Sequence, residues 1–181
     1  MTYIAFLRAI NVGGHATVKM ADVRDAFVDA GCRNVRSVIQ SGNVIFDAAA
    51  SGRTVLKTRI CQQLAARIGK DPGLCMRTAR EVESLAQAGP FRKFSGAPEV
   101  KLYVAFLGGK PKRSRRLPLR DETEALEVFA SSGRDLIIVS RKAKNGLYGS
   151  PYGIVEEAFG VAATIRNLNT VCRIAELIAR A

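Results

Sequence analysis

The chain opens on an unbroken apolar run, Tyr3-Ile4-Ala5-Phe6-Leu7, which gives way at Arg8 to Ala9-Ile10-Asn11-Val12-Gly13-Gly14. A short apolar run halted by paired glycines reads as a buried strand entering a turn, placed here at residues 2–10. Met20, Val23, Phe27 and Ala30 then recur at helical spacing, with Asp22, Arg24, Asp25 and Asp29 between them. That spacing predicts an amphipathic helix closed by Gly31. Val35 to Ile39 and Val44 to Phe46 flank Gln40-Ser41-Gly42-Asn43, a short polar interval that predicts a hairpin. Ser51 is placed as the cap of a helix with Leu56, Ile60, Leu64 and Ile68 along one face and Gly69 at its end. Leu74 to Arg77 adds a fourth strand. Thr78-x-x-Glu81 fits a capping box for a brief helix through Val82 and Leu85, stopped by Gly89-Pro90. The order β-α-β-β-α-β predicts an antiparallel sheet with both helices on one face.

The opening strand has an echo a hundred positions later, Tyr103-Val104-Ala105-Phe106-Leu107. It suggests a second, loosely similar α+β half packed against the first. The expected organisation is 1–80, a connecting helix and packed connector at 81–100, and a second half at 101–181 that includes the C-terminal helix. Phe91 and Phe94 are expected to tuck the connector against the body. Lys110 to Arg120 carries six basic and no acidic residues, and its prolines and self-repulsion predict an exposed loop. A short acidic helix is placed from Asp121, then Val128-Phe129, a Ser131-Ser132-Gly133 turn and the strand Leu136 to Val139. Ser150-Pro151 supplies a cap and a first-position proline for a helix ending near Gly160. Residues 161–165 read as a strand, and Leu168, Val171, Ala175 and Ile178 mark a terminal helix.

Charge changes the picture most. There are 28 Lys+Arg against 16 Asp+Glu, a formal +12. Residues 1–100 and residues 101–181 each hold 14 basic and 8 acidic groups, so the excess is spread evenly rather than carried by a tail. Such an excess favours polyanions, and it equally serves solubility. No apolar run approaches the roughly 20 residues that span a bilayer, and the N-terminus reads directly as a strand rather than as a secretory leader. A cytoplasmic protein without membrane association is expected. Cys32, Cys61, Cys75 and Cys172 lack C-x-x-C spacing and read as buried free thiols. With His15 as the one histidine there is no Cys/His metal set, and neither metal nor cofactor is expected.

Candidate chemistry gathers at turns. Arg8, Asn11, Gly13 and Gly14 lie between strand and helix, where backbone N–H groups can receive an anion and an arginine can add a forked contact. They match neither a P-loop nor a dinucleotide fingerprint, and the glycines also serve as turn residues. Gln40 and Asn43 make their hairpin more polar than it needs to be. Arg166 and Asn169 open the last helix, where Asn167 or Asn169 can cap and Arg166 is the surplus residue. A cleft shared by Arg8, Asn11, Gly13, Gly14, Gln40, Asn43, Arg166 and Asn169 accounts for both surpluses. Separately, Lys112, Arg113, Arg115, Arg116, Lys142 and Lys144 form a basic set able to grip phosphates, with Tyr148 and Tyr152 beside it for stacking on unpaired bases. No carboxylate pair, serine elbow or nucleophile–histidine arrangement stands out.

These motifs together resemble the bacterial domain-of-unknown-function family numbered 1697. The match is carried by Arg8 with Asn11-Val12-Gly13-Gly14, Lys19-Met20-Ala21-Asp22-Val23-Arg24, Gln40-Ser41-Gly42-Asn43-Val44, and Thr164 with Arg166-Asn167-Leu168-Asn169-Thr170-Val171. Leu168 stands where members commonly carry tryptophan. The resemblance implies an α+β fold with a ferredoxin-like first half, and supplies no substrate, cofactor or catalytic residue. Three functional classes stay open: a binding module for a small anionic ligand in a cleft between the halves, a nucleic-acid-associated basic protein, and an enzyme of unidentified class. Oligomeric state is not legible.

Overall fold

Strand β1, Thr2–Leu7, is the axis of the first part of the chain, hydrogen-bonded on both sides. Its antiparallel neighbours are β3, Asn43–Asp47, and β4, Leu74–Thr78. Strand β2, Arg33–Val38, pairs with β3 at the edge, giving the order β2-β3-β1-β4. Helices α1, Met20–Asp29, and α2, Arg53–Ile68, cover one face. This is the ferredoxin-like arrangement expected from the periodicity. The computed structural model describes residues 1–8, 10–11, 18–50, 52–69, 71–87, 89–94, 97, 99–121, 123, 125–143 and 145–180. They divide into two compact units, Met1–Glu81 and Val82–Ala181.

Alternation along β1 explains the first core. Tyr3, Ala5 and Leu7 face the helices and join Phe27, Phe46, Ile60 and Leu64. The Phe27 and Phe46 rings meet edge to face at 5.0 Å, and Tyr3 stacks on Phe46. Burying such side chains contributes roughly 1.5–3 kcal/mol each. Ile4, Phe6, Ile45, Asn43, Cys75 and Arg77 point to the other face and are buried as well. An edge strand must resist further pairing, and β2 does so with exposed Arg33, Asn34 and Arg36 and a register shift between Arg33 and Arg36.

Helix ends partly follow the expected signals. Gly52, rather than Ser51, occupies the N-cap position of α2, and Ser51 lies outside the described residues. Gly69 closes α2 at φ 72°. The capping box opens α3, Ala79–Ala86: Glu81 N–H donates to Thr78 Oγ1 at 3.2 Å, and Thr78 N–H to Glu81 Oε2 at 2.6 Å.

In the second unit β5, Val100–Leu107, is central. It pairs with β8, Asp135–Arg141, and β9, Ala163–Asn167. Strands β6, Leu119–Asp121, and β7, Leu126–Ser132, extend the sheet to the order β6-β7-β8-β5-β9. Helix α4, Tyr152–Phe159, covers one face through Val155 and Phe159. Helix α5, Leu168–Ala179, buries Val171 and Ile174. Asn167 caps it by accepting from Asn169 N–H at 2.9 Å. Phe91 is buried, and Phe94 meets Phe129 edge to face at 5.2 Å, so both connector phenylalanines pack.

Two expectations fail here. The acidic helix placed from Asp121 is a strand end: Asp121 Oδ1 accepts the N–H of Thr123, an Asx turn, and β7 begins at Leu126. Pro151, rather than Ser150, takes the N-cap position of α4.

The repeat is tighter than the sequence echo. Phe6 lies opposite Asn43 and Cys75, and Ile4 opposite Ile45 and Arg77. Phe106 lies opposite Asp135 and Thr164, and Val104 opposite Ile137 and Arg166. The three inner strands of both units share one register, whereas the first crossover helix has no counterpart between β5 and β6, where residues 108–118 are irregular.

The capping box makes pH a direct probe. Burial raises the Glu81 carboxyl, but the Thr78 N–H and the Arg53 guanidinium outweigh it and hold the group below its usual 4.5. The box therefore stabilises fully above that value and less as pH falls through the folded value. Thr78→Ala is expected to reduce stability by about 1 kcal/mol at pH 7. The gap between wild type and Glu81→Gln in denaturant titrations should narrow as pH drops below 4.5.

Candidate functional site

At the end of β1 the backbone is seized from both sides. Leu7 N–H donates to Gly42 O at 2.8 Å, and Arg8 N–H to Gly73 O at 3.1 Å. The β2–β3 turn thus lies at the same end of the sheet as Arg8. Gly42 sits at φ 75°, and a Cβ there would lie 3.0 Å from Leu7 Cβ and 3.1 Å from Ile10 Cβ. Only glycine accepts both the backbone conformation and the approach.

Asn11, at φ 55°, ties this turn to the start of α1. Its Nδ2 donates to Val18 O at 3.0 Å and to Gln40 O at 3.1 Å, while its Oδ1 accepts from Val18 N–H at 2.8 Å. A depression of about 370 Å³ opens beside it. Asn11, Val18, Lys19 and Met20 line one side, and Ser37, Ile39 and Gln40 the other. Lys19 is the N-cap residue of α1, and its own side chain makes no cap hydrogen bond. The N-terminal N–H groups and the positive end of the helix dipole favour an anion there. Ile39, 47% exposed and at φ 59°, holds a β-branched side chain in the left-handed region on the same rim.

Of the residues singled out from sequence, Asn11 and Gln40 therefore come together. Arg8 is not among the described residues lining the depression; its side chain runs past Gly73, 3.7 Å from where a Cβ would stand. Asn43 is fully buried and donates to Val38 O and Ser41 Oγ, so it braces the hairpin. Gly13 and Gly14 lie outside the described residues. Arg166 and Asn169 belong to the second unit. There Arg166 is 8% exposed and donates to Ile165 O at 2.9 Å and Thr164 Oγ1 at 3.3 Å. Asn169 is exposed and supplies the N–H that Asn167 caps.

The basic set lies on an exposed, irregular loop, as expected, and the loop is anchored to a helix. Arg113 Nη1 donates to Glu157 O at 2.8 Å, and Arg115 Nε to Ala158 O at 3.1 Å. Lys112 N–H and Arg113 N–H both reach Phe159 O. These contacts satisfy the open carbonyls at the C-terminus of α4, where cations also oppose the helix dipole. Arg116 is exposed, Lys142 pairs with Glu99 at 3.8 Å, and Lys144 lies outside the described residues. Lys101 Nζ stands 4.0 Å over the Tyr148 ring, so one stacking face is already taken by the protein's own cation. Tyr152 is 43% exposed.

The sequence matches the family described as a protein of unknown function, DUF1697, over residues 1–136. The chain belongs to the DUF1697 family. The matched stretch contains the whole Asn11–Gln40 depression and ends inside β8, before Arg166 and Asn169. No curated protein matches the sequence. The solved structure of the conserved bacterial protein SP0830 from Streptococcus pneumoniae is similar over 98% of this chain and 98% of its own, with a TM-score of 0.64 and 18% identity. At that identity the likeness is one of fold.

In this DUF1697 protein none of the four cysteines is in a disulfide, with Cys32 and Cys75 buried and Cys61 and Cys172 only partly so. Burial pushes the Cys32 and Cys61 thiols up to about 11, which disfavours the reactive thiolate. Among the described residues no group of three His, Cys, Asp or Glu is placed to hold a metal, and no helix is long and apolar enough to cross a membrane. Lys19, Ser37 and Ile39 were not singled out from sequence. The signal for Lys19 was available, since a helix start led by lysine lacks a capping side chain. Ile39 gave none, because its left-handed backbone contradicts its residue type.

Two substitutions check these roles. Gly42→Ala should reduce stability by about 1–3 kcal/mol, read from denaturant midpoints, because it meets both the strained φ and the Leu7–Ile10 wall. Arg113→Ala and Arg115→Ala should each remove about 0.3–1 kcal/mol at low salt, a loss that shrinks as salt rises.

Proposed function

We propose that this protein is a binding module for a small anionic ligand, carrying a phosphate or carboxylate, seated in the Asn11–Gln40 depression of the first unit. One observation carries the proposal: the N-terminus of α1, whose N-cap Lys19 makes no side-chain cap bond, borders a depression that Lys19 lines and whose two walls the Asn11 amide joins. The helix end supplies N–H donors and a positive dipole, Lys19 supplies a full charge, and Gln40 and Ser37 supply polar groups on the opposite wall. Support also comes from the even spread of positive charge, which raises the local concentration of anions around the fold. The alternative of a nucleic-acid surface at 112–116 has less support, since Arg113 and Arg115 are engaged by main-chain oxygens of α4.

Thermal unfolding and amide NMR with inorganic phosphate, then with a panel of phosphorylated and carboxylate metabolites, provide the test. A ligand present at a hundred times its Kd should stabilise by about 2.7 kcal/mol. The amides of residues 18–22 and 37–40 should move, and Lys19→Glu should abolish both effects while leaving the far-UV spectrum unchanged. If no anion of the panel shifts those amides, or if Lys19→Glu binds as wild type does, the proposal fails.

A further inference from the structure

A second polar depression, in the other unit, is built around a buried carboxylate. Glu127 on β7 is 3% exposed. Burying a carboxylate is costly without a well-placed hydrogen-bonding partner. Arg141 on β8 provides one, with Nη1 donating to Glu127 Oε2 at 2.9 Å. Arg120 on β6 lies directly opposite Glu127 in the strand register and adds a second guanidinium, its Nε 3.5 Å from Oε1. Two guanidiniums therefore face the one buried carboxylate. Their side chains are 62% and 46% exposed, and both open onto a depression of about 400 Å³.

The remaining surroundings narrow the ligand. Asp121 sits on the rim with one oxygen taken by Thr123 N–H. Among the described residues two cations and two carboxylates line the depression, which disfavours polyphosphates and nucleic-acid strands. The Arg141 guanidinium also lies 5.9 Å from the Phe94 ring centroid, a contact that further fixes its position. Ala125 on the rim is held at φ 50°, a conformation a non-glycine residue adopts only when its surroundings impose it.

We infer that Arg120 and Arg141 form a binding site for a singly charged carboxylate, with Glu127 as the positioning residue that fixes both guanidiniums from below. A ligand carboxylate takes the outer N–H edges of the two arginines as Glu127 takes the inner ones, and each fork prefers a planar, two-oxygen partner. This site shares no residue with the depression at α1, so either can stand without the other.

Titration of isotopically labelled full-length protein with sodium benzoate, followed by NMR, tests it. The Nε–H signals of Arg120 and Arg141 and the backbone amides of residues 119–127 should shift saturably, with a Kd on the order of 1 mM. Arg120→Lys keeps the charge and loses the fork, and should weaken binding about tenfold. Because Arg120 is mostly in solvent, the far-UV spectrum and the unfolding midpoint of this variant should match wild type. Glu127→Gln should weaken binding as well and broaden the arginine Nε–H signals, since the guanidiniums lose their anchor. Absence of saturable shifts at these positions, shifts confined to residues 18–40, or undiminished affinity in Arg120→Lys would each overturn the assignment.

Discussion

Each unit of this protein depends on one strand that is hydrogen-bonded along both edges. For β1 and β5 every side chain from the third residue of the Tyr-Ile/Val-Ala-Phe-Leu run to its end is buried, and the flanking strands are locked to them residue by residue. A one-residue slip would turn every apolar side chain to the wrong face, so such a strand admits a single register. Everything placed at the strand's exit inherits that precision. The Gly42 carbonyl meets Leu7 because β3 is in register, and Asn11 reaches Gln40 because Leu7 is held. The depression at the start of α1 is thus a by-product of strand pairing rather than of loop chemistry alone.

The same constraint explains what the two units share. The pairs Phe6 with Asn43 and Cys75, and Phe106 with Asp135 and Thr164, occupy the same places in their sheets, as do Arg77 and Arg166. Residue types at these places differ while the geometry does not. Crossovers, which run over the surface and carry fewer obligations, have diverged further: a helix in the first unit answers to an irregular basic segment and a short edge strand in the second.

Sheets and helices were largely legible because burial imposes a period on the residues. Tyr3 to Leu7 and Leu136 to Val139 are continuous apolar runs, and the spacings in α1 and α2 match one helical face. Boundaries set by short polar residues were legible only where two signals agreed, as in Thr78 and Glu81. Asp121 misled because an aspartate that opens a helix and one that opens an Asx turn look alike until the next strand is known. The candidate site was half legible. Asn11 and Gln40 announced themselves as polar residues beyond what a turn needs. The cross-strand meeting of Arg120 with Glu127 was hidden behind the helix expected at Asp121, since that pairing exists only if both segments are extended.

The arginines that close the end of α4 separate two properties that usually travel together. Arg113 and Arg115 still add to the long-range positive field, because hydrogen bonds to neutral carbonyls leave a charge in place. Their side chains each spend one of five N–H donors on the helix, so only the donors left over face outward, in an orientation the helix has set. The long-range attraction of this face is thus set by its charge, whereas any fit at contact is set by how α4 orients the two guanidiniums.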